Sequence, residues 1–251
     1  MTSQFETRAP RVGVVGLGRL GTALAAGLRA AGIAIDGPVG RGVVPTGEAI
    51  VLCVPDAEIE HAAEAVGGAA AFVGHTSGAT PLSALAPARA QAFGLHPLQT
   101  FAPGSGPELF QGAGCAVAGS TPEALSLAGS LAEALGMEPF EIDDQGRAAY
   151  HAAASIASNF LVTLQHAAEQ VAAGAGLEPA ETRALVAPLV RCTVENWASL
   201  GPERALTGPV ARGDESTVAL QRRAVAETAP HLLPLFDELV ERTRDLVEVP
   251  A

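Results

Sequence analysis

The stretch Val12-Gly13-Val14-Val15-Gly16-Leu17-Gly18-Arg19-Leu20-Gly21 decides the fold of the first part of this 251-residue chain. A short apolar run leads into three glycines at G-x-G-x-x-G spacing, and an Ala/Leu-rich segment continues to Gly32. This order predicts a strand, a glycine turn and a helix, the context that this spacing requires. Gly16 permits a tight turn, Gly18 lets a pyrophosphate approach the backbone, and Gly21 lets helix and strand pack closely. Because N–H groups at a helix start bind phosphate oxygens, we predict that residues 16–21 bind a dinucleotide.

The pattern that follows this turn alternates between strands and helices as far as Ile142. Short apolar runs such as Ala49–Val54 and Gln91–Leu95 are typical of strands, and helical patterns separate them. Such alternation indicates a mostly parallel sheet with helices on both faces.

The pattern changes near Asp143-Asp144-Gln145-Gly146, and no strand is predicted after it. Arg147–Ala173 is predicted as one long helix without Pro or Gly. Further helices are predicted at Pro179–Leu200, Ser216–Glu227 and Leu232–Leu246. The expected fold class is therefore α/β, with a Rossmann-like doubly wound parallel sheet in residues 1–145 and an all-helical C-terminal domain in residues 146–251.

Composition excludes several classes of function. The net charge of −12 argues against nucleic acid and anionic membranes as partners. No apolar run is long enough for a membrane span, and the polar segment Met1–Pro10 carries no hydrophobic signal. Three widely spaced cysteines suit a reducing cytoplasm and suggest neither disulfides nor a zinc site. We therefore expect a cytoplasmic protein that acts on a small molecule.

Lysine is absent from the chain, so all 15 basic residues are arginine. This absence excludes a Schiff-base mechanism and a lysine general acid.

The residue that reads the adenosine ribose is expected just after the second strand. Asp36 there would bind the 2′-hydroxyl of NAD, whereas Arg41 would accommodate the 2′-phosphate of NADP. Arg41 is better spaced from the glycine turn, at the end of a segment that resembles a loop, so NADP is favoured over NAD. Val54 and Pro55 end the next strand and are predicted to line the cofactor channel, since ligands in open α/β sheets lie at the carboxyl ends of strands.

Several motifs together resemble a known group of proteins. The glycine turn, the segment Leu52–Asp56 and the helical second half resemble the superfamily of β-hydroxyacid dehydrogenases, 6-phosphogluconate dehydrogenases, ketopantoate reductases and pyrroline-5-carboxylate reductases. More narrowly, His75–Gly78, Gly94–Phe101, Tyr150–Ala153 and Thr207–Asp214 resemble a bacterial family that joins a Rossmann-like domain to a C-terminal helical domain of unknown function. The resemblance implies an oxidoreductase, makes ketopantoate a candidate substrate, and implies a homodimer.

Hydroxyacid dehydrogenases of this superfamily use a lysine four residues before an asparagine, and here the two positions are Ser155 and Asn159. Asn159 would polarise a substrate carbonyl, whereas Ser155 is a weak acid that could contact substrate. His151, Ser155, Asn159 and Thr163 recur every four residues and would form one polar row on a helix. The row fits either substrate contacts, with His151 as a candidate acid, or a polar seam between packed helices.

His96 is the other candidate acid. It ends an apolar strand and precedes Pro97, and a histidine there suits proton donation at neutral pH. Prephenate-type dehydrogenases carry a similar His-Pro pair after this strand. The alternative is a turn histidine that bonds a backbone carbonyl.

Three further polar residues are candidate ligand contacts. Ser77 is assigned to the cofactor and Gln99 to the substrate, and Arg212 is a candidate clamp for a substrate carboxylate. The alternative for Arg212 is an ion pair with Asp214 or Glu215.

The sequence thus predicts an NADPH-dependent reductase of a small carboxylate-bearing carbonyl or imine compound. One alternative is a prephenate-like dehydrogenase. Another, prompted by the missing lysine, is an NADP-binding sensor or partner protein without turnover.

Overall fold

The computed structural model describes residues 11–248, so the expectation about Met1–Pro10 lies outside the described residues. The chain divides into two units between Ile156 and Ala157. The first unit holds a seven-stranded sheet, and the second is built from helices.

The sheet has the order β2-β1-β3-β4-β5-β6-β7. The strands are β1 (Val12–Val15), β2 (Ile35–Val39), β3 (Ala49–Leu52), β4 (Phe72–His75), β5 (Gln91–Pro97), β6 (Gly114–Gly119) and β7 (Glu138–Glu141). All neighbouring strands are parallel except β5 and β6. The predicted Rossmann-like, mostly parallel sheet is confirmed, and the carboxyl ends of β1, β3, β4 and β5 share one edge.

The helices are α1 (Arg19–Ala30), α2 (Ile59–Ala65), α3 (Pro122–Ala134), α4 (Arg147–Ala157), α5 (Asn159–Ala172), α6 (Pro179–Leu200), α7 (Pro202–Ala205), α8 (Glu215–Thr228) and α9 (Leu233–Glu248). No strand occurs between residues 157 and 248, which confirms the prediction of an all-helical second half.

The core of the first unit lies on both faces of the sheet. Along β3, Ala49 and Val51 belong to one apolar cluster and Ile50 and Leu52 to the other. The first cluster includes residues of α1 and α3, and the second includes residues of α2. Because side chains alternate along a strand, this double burial explains why the strands are continuous apolar runs.

The predicted long helix over residues 147–173 is wrong. The helix is interrupted at Ser158, where the backbone departs from helical geometry (φ −114°, ψ −69°), and α5 begins at Asn159. Serine has a lower helix propensity than alanine, although the Ser158 side chain makes no capping hydrogen bond here. The row from His151 to Thr163 is therefore not carried by one continuous helix.

The second strand also differs from the prediction. It spans Ile35–Val39, so Gly37 and Pro38, predicted as loop, are part of β2. Since β2 is an edge strand with β1 as its neighbour, proline is tolerated there. Arg41 then follows the strand end by two residues.

Candidate active site

Two of the three glycines in the turn that leads from β1 into α1 admit no side chain. Gly16 has φ +121°, and a Cβ there would overlap the carbonyl oxygen of Cys53. A Cβ on Gly21 would overlap the carbonyl oxygen of Gly16. Gly18, in contrast, faces open space, with no heavy atom within 4 Å of an added Cβ. The turn therefore needs Gly16 and Gly21 for packing and leaves the backbone at Gly18 open to a ligand.

A cavity of about 420 Å³ opens beside this turn. It is lined by Gly16 and Leu17 from the turn, by the segment 40–44 after β2, by Val54 and Pro55 after β3, and by one face of α2. Cavities of this size with mostly apolar walls suit a planar ring system. Among the predicted cofactor residues, the structure brings together those that line this cavity: Gly16, Leu17, Arg41, Val54 and Pro55.

The remaining predicted cofactor residues lie elsewhere. Arg19 is exposed at the first position of α1, and Leu20 packs against the core. Ser77 is buried, and its hydroxyl accepts the N–H groups of Ala79 and Thr80. Its own N–H donates to Nδ1 of the buried His75 at 3.2 Å. Ser77 thus organises the loop after β4.

Asp36, the alternative ribose contact, lies within β2 and bonds to a neighbouring loop. It pairs with Gly13 inside the sheet, three residues before the carboxyl end of β2. Its Oδ2 accepts the backbone N–H and the hydroxyl of Thr46, each at 2.7 Å, and these bonds lower the pKa of the carboxyl. Arg41 lines the cavity, and its Nη2 lies 2.9 Å from Glu58 Oε2.

His96 and Tyr150 form the centre of a second group at the carboxyl end of β5. A 2.6 Å hydrogen bond joins His96 Nδ1 and Tyr150 Oη, and the two rings meet edge to face. Sequence reasoning missed Tyr150, although the Tyr150–Ala153 motif contained it, because the four-residue spacing was counted from His151. Burial raises the pKa of Tyr150 to about 12, so its hydroxyl stays protonated.

The environment of His96 keeps its imidazole neutral. Burial, followed by the charges of His151 and Arg147, lowers the pKa of His96 to about 4. The expectation that its titration suits proton donation at neutral pH is therefore wrong. A neutral imidazole can still donate one ring N–H as a hydrogen bond, as the neutral histidine of triosephosphate isomerase does.

Gly78 lies between the imidazoles of His96 and His151. A Cβ on Gly78 would lie 2.9 Å from both His96 Nε2 and His151 Cδ2. The two rings have centroids 6.3 Å apart, and His151 is exposed. The structure thus brings together both predicted histidines around a glycine from the loop after β4.

Two of the other predicted substrate residues lie on α4 and α5, and a third lies in the loop after β5. Ser155 is half-buried on α4, and Asn159 is exposed at the start of α5. The Gln99 amide donates to the Leu109 carbonyl and accepts the Thr100 N–H, so it holds its own loop.

Arg212 is exposed in the second unit, and the ion-pair alternative for it is not found among residues 11–248. Asp214 instead accepts hydrogen bonds from Ser216 and Thr217 at the start of α8, and Glu215 pairs with Arg244.

Two kinds of feature are absent from the described part of the chain. Within it, no three His, Cys, Asp or Glu side chains group as a metal site would require. No helix there has the length and apolarity needed to cross a membrane.

Comparison with known proteins agrees with this architecture. Residues 113–243 match the family described as a domain of unknown function, DUF2520. No curated protein matches the chain. A protein of Thermotoga maritima shares 25% identity at a TM-score of 0.78, covering 94% of this chain and 98% of that one. A protein of Bacteroides fragilis, provisionally described as an NADP oxidoreductase, shares 20% identity at a TM-score of 0.79 over the same fractions.

A more distant similarity links the chain to an enzyme crystallised with its cofactor. The pyrroline carboxylate reductase of Plasmodium falciparum, solved with NADP bound, shares 13% identity at a TM-score of 0.59. The match covers 95% of this chain and 98% of that one. At such identity the similarity shows a common fold.

Proposed function

We propose that this chain, which belongs to the DUF2520 family, is an NADP-dependent oxidoreductase that reduces a small carboxylate-bearing carbonyl or imine compound. Ketopantoate is a candidate substrate. The proposal rests on one observation above all: the Tyr150–His96 hydrogen bond stands at the same sheet edge as the glycine turn. The structural neighbours named for NADP chemistry support the choice of cofactor.

The residues of the turn fit a dinucleotide. Open backbone at Gly18 and the first-turn N–H groups of α1 supply donors for a diphosphate, because those groups lack partners inside a helix. The neighbouring cavity has the size and apolar walls that an adenosine moiety needs.

Arg41 supports NADP over NAD. Its guanidinium lies two residues past the end of β2 and is 79% exposed, so it can turn from Glu58 to a phosphate. Exposed ion pairs contribute about 0–1 kcal/mol, so exchanging this partner costs little. We expect Arg41→Gln to weaken NADPH binding about tenfold or more and NADH binding hardly at all, as measured by calorimetry.

The catalytic role of the chain's own residues follows from His96. We assign the tautomer protonated at Nε2, in which the Tyr150 hydroxyl donates to Nδ1. Nε2–H then donates to the substrate oxygen or nitrogen and stabilises the negative charge that develops there. Bound NADPH would supply the hydride, and solvent water would supply the proton that the reduced oxygen or nitrogen takes up. Tyr150 holds the ring and its tautomer, and His151 lies beside it.

The test is NADPH oxidation, followed at 340 nm, with a panel of 2-oxo acids that includes ketopantoate and with cyclic imino acids. We expect His96→Ala to lower kcat about 100-fold or more, because removal of one donor to a developing oxyanion costs about that much. His231→Ala changes an exposed histidine of the second unit and is the control. Wild-type activity in a folded His96→Ala variant would refute the role given to His96.

Experiments on the same purified protein distinguish the proposed reductase from two other functions. The His96-Pro97 pair favours oxidation of a prephenate-like substrate, which would appear as NADP⁺ reduction with prephenate. Ser155 stands where the superfamily has its catalytic lysine, and this replacement favours an NADP-binding sensor that does not turn over a substrate. Tight NADPH binding without hydride transfer to any compound of the panel would support the sensor.

We further propose a homodimer in the cytoplasm. Phe160, Leu185, Leu189 and Trp197 of the helical unit are 55–66% exposed, which supports a second copy as their partner. The three free cysteines suit a reducing compartment. Light scattering coupled to size-exclusion chromatography tests the dimer, and a monomer mass at micromolar concentration would refute it.

A further inference from the structure

Arg147 is a buried cation held in one orientation. It is the first residue of α4, and its side chain is 5% exposed. Its Nε–H donates to Asp144 Oδ1 at 2.7 Å, and the same oxygen accepts the Leu82 N–H at 3.3 Å. The guanidinium is thus anchored by one edge to a loop carboxylate that is itself tied to the backbone.

The guanidinium lies on the sheet face that also carries His96. A Cβ on Gly94 would lie 3.0 Å from Arg147 Nη2, so the cation occupies the space above this glycine. Gly94 precedes His96 by two residues and is the register partner of His75. Side chains two residues apart share a face of a strand, so Arg147 lies beside both histidines. Its positive charge contributes to the low pKa of His75 and of His96.

Arg147 has more hydrogen-bond donors than partners, and its positive charge is only partly compensated. Among residues 11–248, no acceptor is hydrogen-bonded to its Nη1 or Nη2 groups. Asp144, its ion-pair partner, is 47% exposed and engages only Nε. His75 adds a further unused donor, since Nδ1 accepts from Ser77 and Nε2 has no partner. Buried charges are normally paired and fully hydrogen-bonded, so free donors on a buried cation indicate a place for an anion.

We propose that Arg147 binds the carboxylate of the compound that reacts at His96. Two free Nη groups on a planar guanidinium match the two oxygens of a carboxylate. A 2-oxo acid bound in this way carries its carbonyl next to its carboxylate, which suits the adjacent positions of Arg147 and His96. This assignment deepens the proposed function and rests on it for the identity of the ligand as substrate. It replaces Arg212, which is exposed in the second unit.

The test follows the His96 ring by NMR on protein with ¹⁵N-labelled histidine, first without dinucleotide and then with NADP⁺. The probes are pyruvate, ketopantoate and neutral methyl pyruvate. Wild-type protein is expected to show a saturable shift of the His96 ring signals with at least one 2-oxo acid but not with the methyl ester. Arg147→Gln should weaken that binding about 100-fold, and Arg212→Gln should change it less than about twofold.

A second readout separates binding from a structural role. A bound carboxylate compensates the charge of Arg147, so it should raise the pKa of His96 from about 4. The other groups that act on His96, namely its hydrogen-bond partner Tyr150 and the charges of His151, His75 and Asp56, are unchanged in the comparison. The Arg147→Gln variant should show a raised His96 pKa without ligand and no further rise with pyruvate. Arg147→Lys keeps the positive charge but loses the two parallel donors of the guanidinium. If Arg147→Gln does not fold, carboxylate binding is compared between Arg147→Lys and the wild type.

Three results would overturn the assignment: methyl pyruvate binding as tightly as the acids, folded Arg147→Gln retaining wild-type carboxylate binding, or no saturable shift with any acid in either condition. The proposed function fails separately. A chain that binds pyruvate through Arg147 but no NADPH would refute the oxidoreductase and leave the carboxylate site.

Discussion

Replacing Gly18 by alanine separates ligand binding from folding at the glycine turn. Gly18 is the N-cap residue of α1, with φ −71° and ψ 177°, and this conformation is open to any residue. An added Cβ would meet no protein atom within 4 Å. The same Cβ would project into the open space in which we propose that a dinucleotide phosphate binds. Gly18→Ala should therefore keep the fold and lose dinucleotide affinity.

The magnitudes follow from these contacts. Alanine is a poorer N-cap residue than glycine by about 0.5–1 kcal/mol. Replacing glycine by alanine at a compatible φ gains about 0.4–1 kcal/mol by restricting the unfolded chain. The free energy of unfolding should therefore change by less than about 0.5 kcal/mol. Displacing the phosphate by the width of a methyl group should weaken NADPH binding at least about tenfold, or about 1.4 kcal/mol.

The assay pairs urea denaturation with calorimetric titration of NADPH. Gly16→Ala is the matched comparison, because its Cβ would overlap the Cys53 carbonyl at φ +121°. Strain and overpacking there should lower the free energy of unfolding by about 2–5 kcal/mol. If Gly18→Ala bound NADPH as tightly as the wild type, the reasoning on the open backbone would be refuted.

Three further outcomes follow from buried titratable groups. Burial lowers the folded-state pKa of His75 and His96 from 6.5 to about 4, so the unfolded chain binds more protons than the folded chain between these pH values. The free energy of unfolding, measured in urea, should therefore fall as the pH drops from 6.5 towards 4. The same dependence of this free energy on pH in His96→Gln would contradict the reasoning. For the same reason, the pH profile of NADPH oxidation should lack a histidine step near pH 6.5, and a clear loss of kcat above that pH would indicate an imidazolium acid instead. Burial also raises the pKa of Cys53 and Cys115 to about 12, so a disulfide reagent should modify these two thiols only on unfolding. Rapid modification of a native Cys192→Ser variant would contradict the high pKa of both thiols.

Local sequence patterns were sufficient to predict most of the strands and helices of the first unit. Glycine spacing and apolar runs predicted β1, α1 and the later strands, because strands buried on both faces must be continuously apolar. The helix predicted at Pro179–Leu200 has the bounds that the structure shows. The position of Arg41 beside the cavity also followed from spacing along the chain.

Features that depend on distant parts of the chain were not predictable in this way. The Tyr150–His96 bond joins residues 54 positions apart, and no local pattern pairs them. Arg147 looks like an ordinary charge at a helix start, and only the fold shows that it is buried above Gly94. The break at Ser158 was missed because one serine lowers helix propensity by only a few tenths of a kcal/mol, roughly.

The packing of Arg147 on Gly94 has a consequence for how this family can diverge. A Cβ at position 94 would lie 3.0 Å from Arg147 Nη2, so a large side chain there would displace the guanidinium, and a shorter residue at position 147 would leave a void above the glycine. Substitutions at the two positions are therefore expected to be coupled. In related sequences, a bulky residue at position 94 should accompany the loss of arginine at position 147.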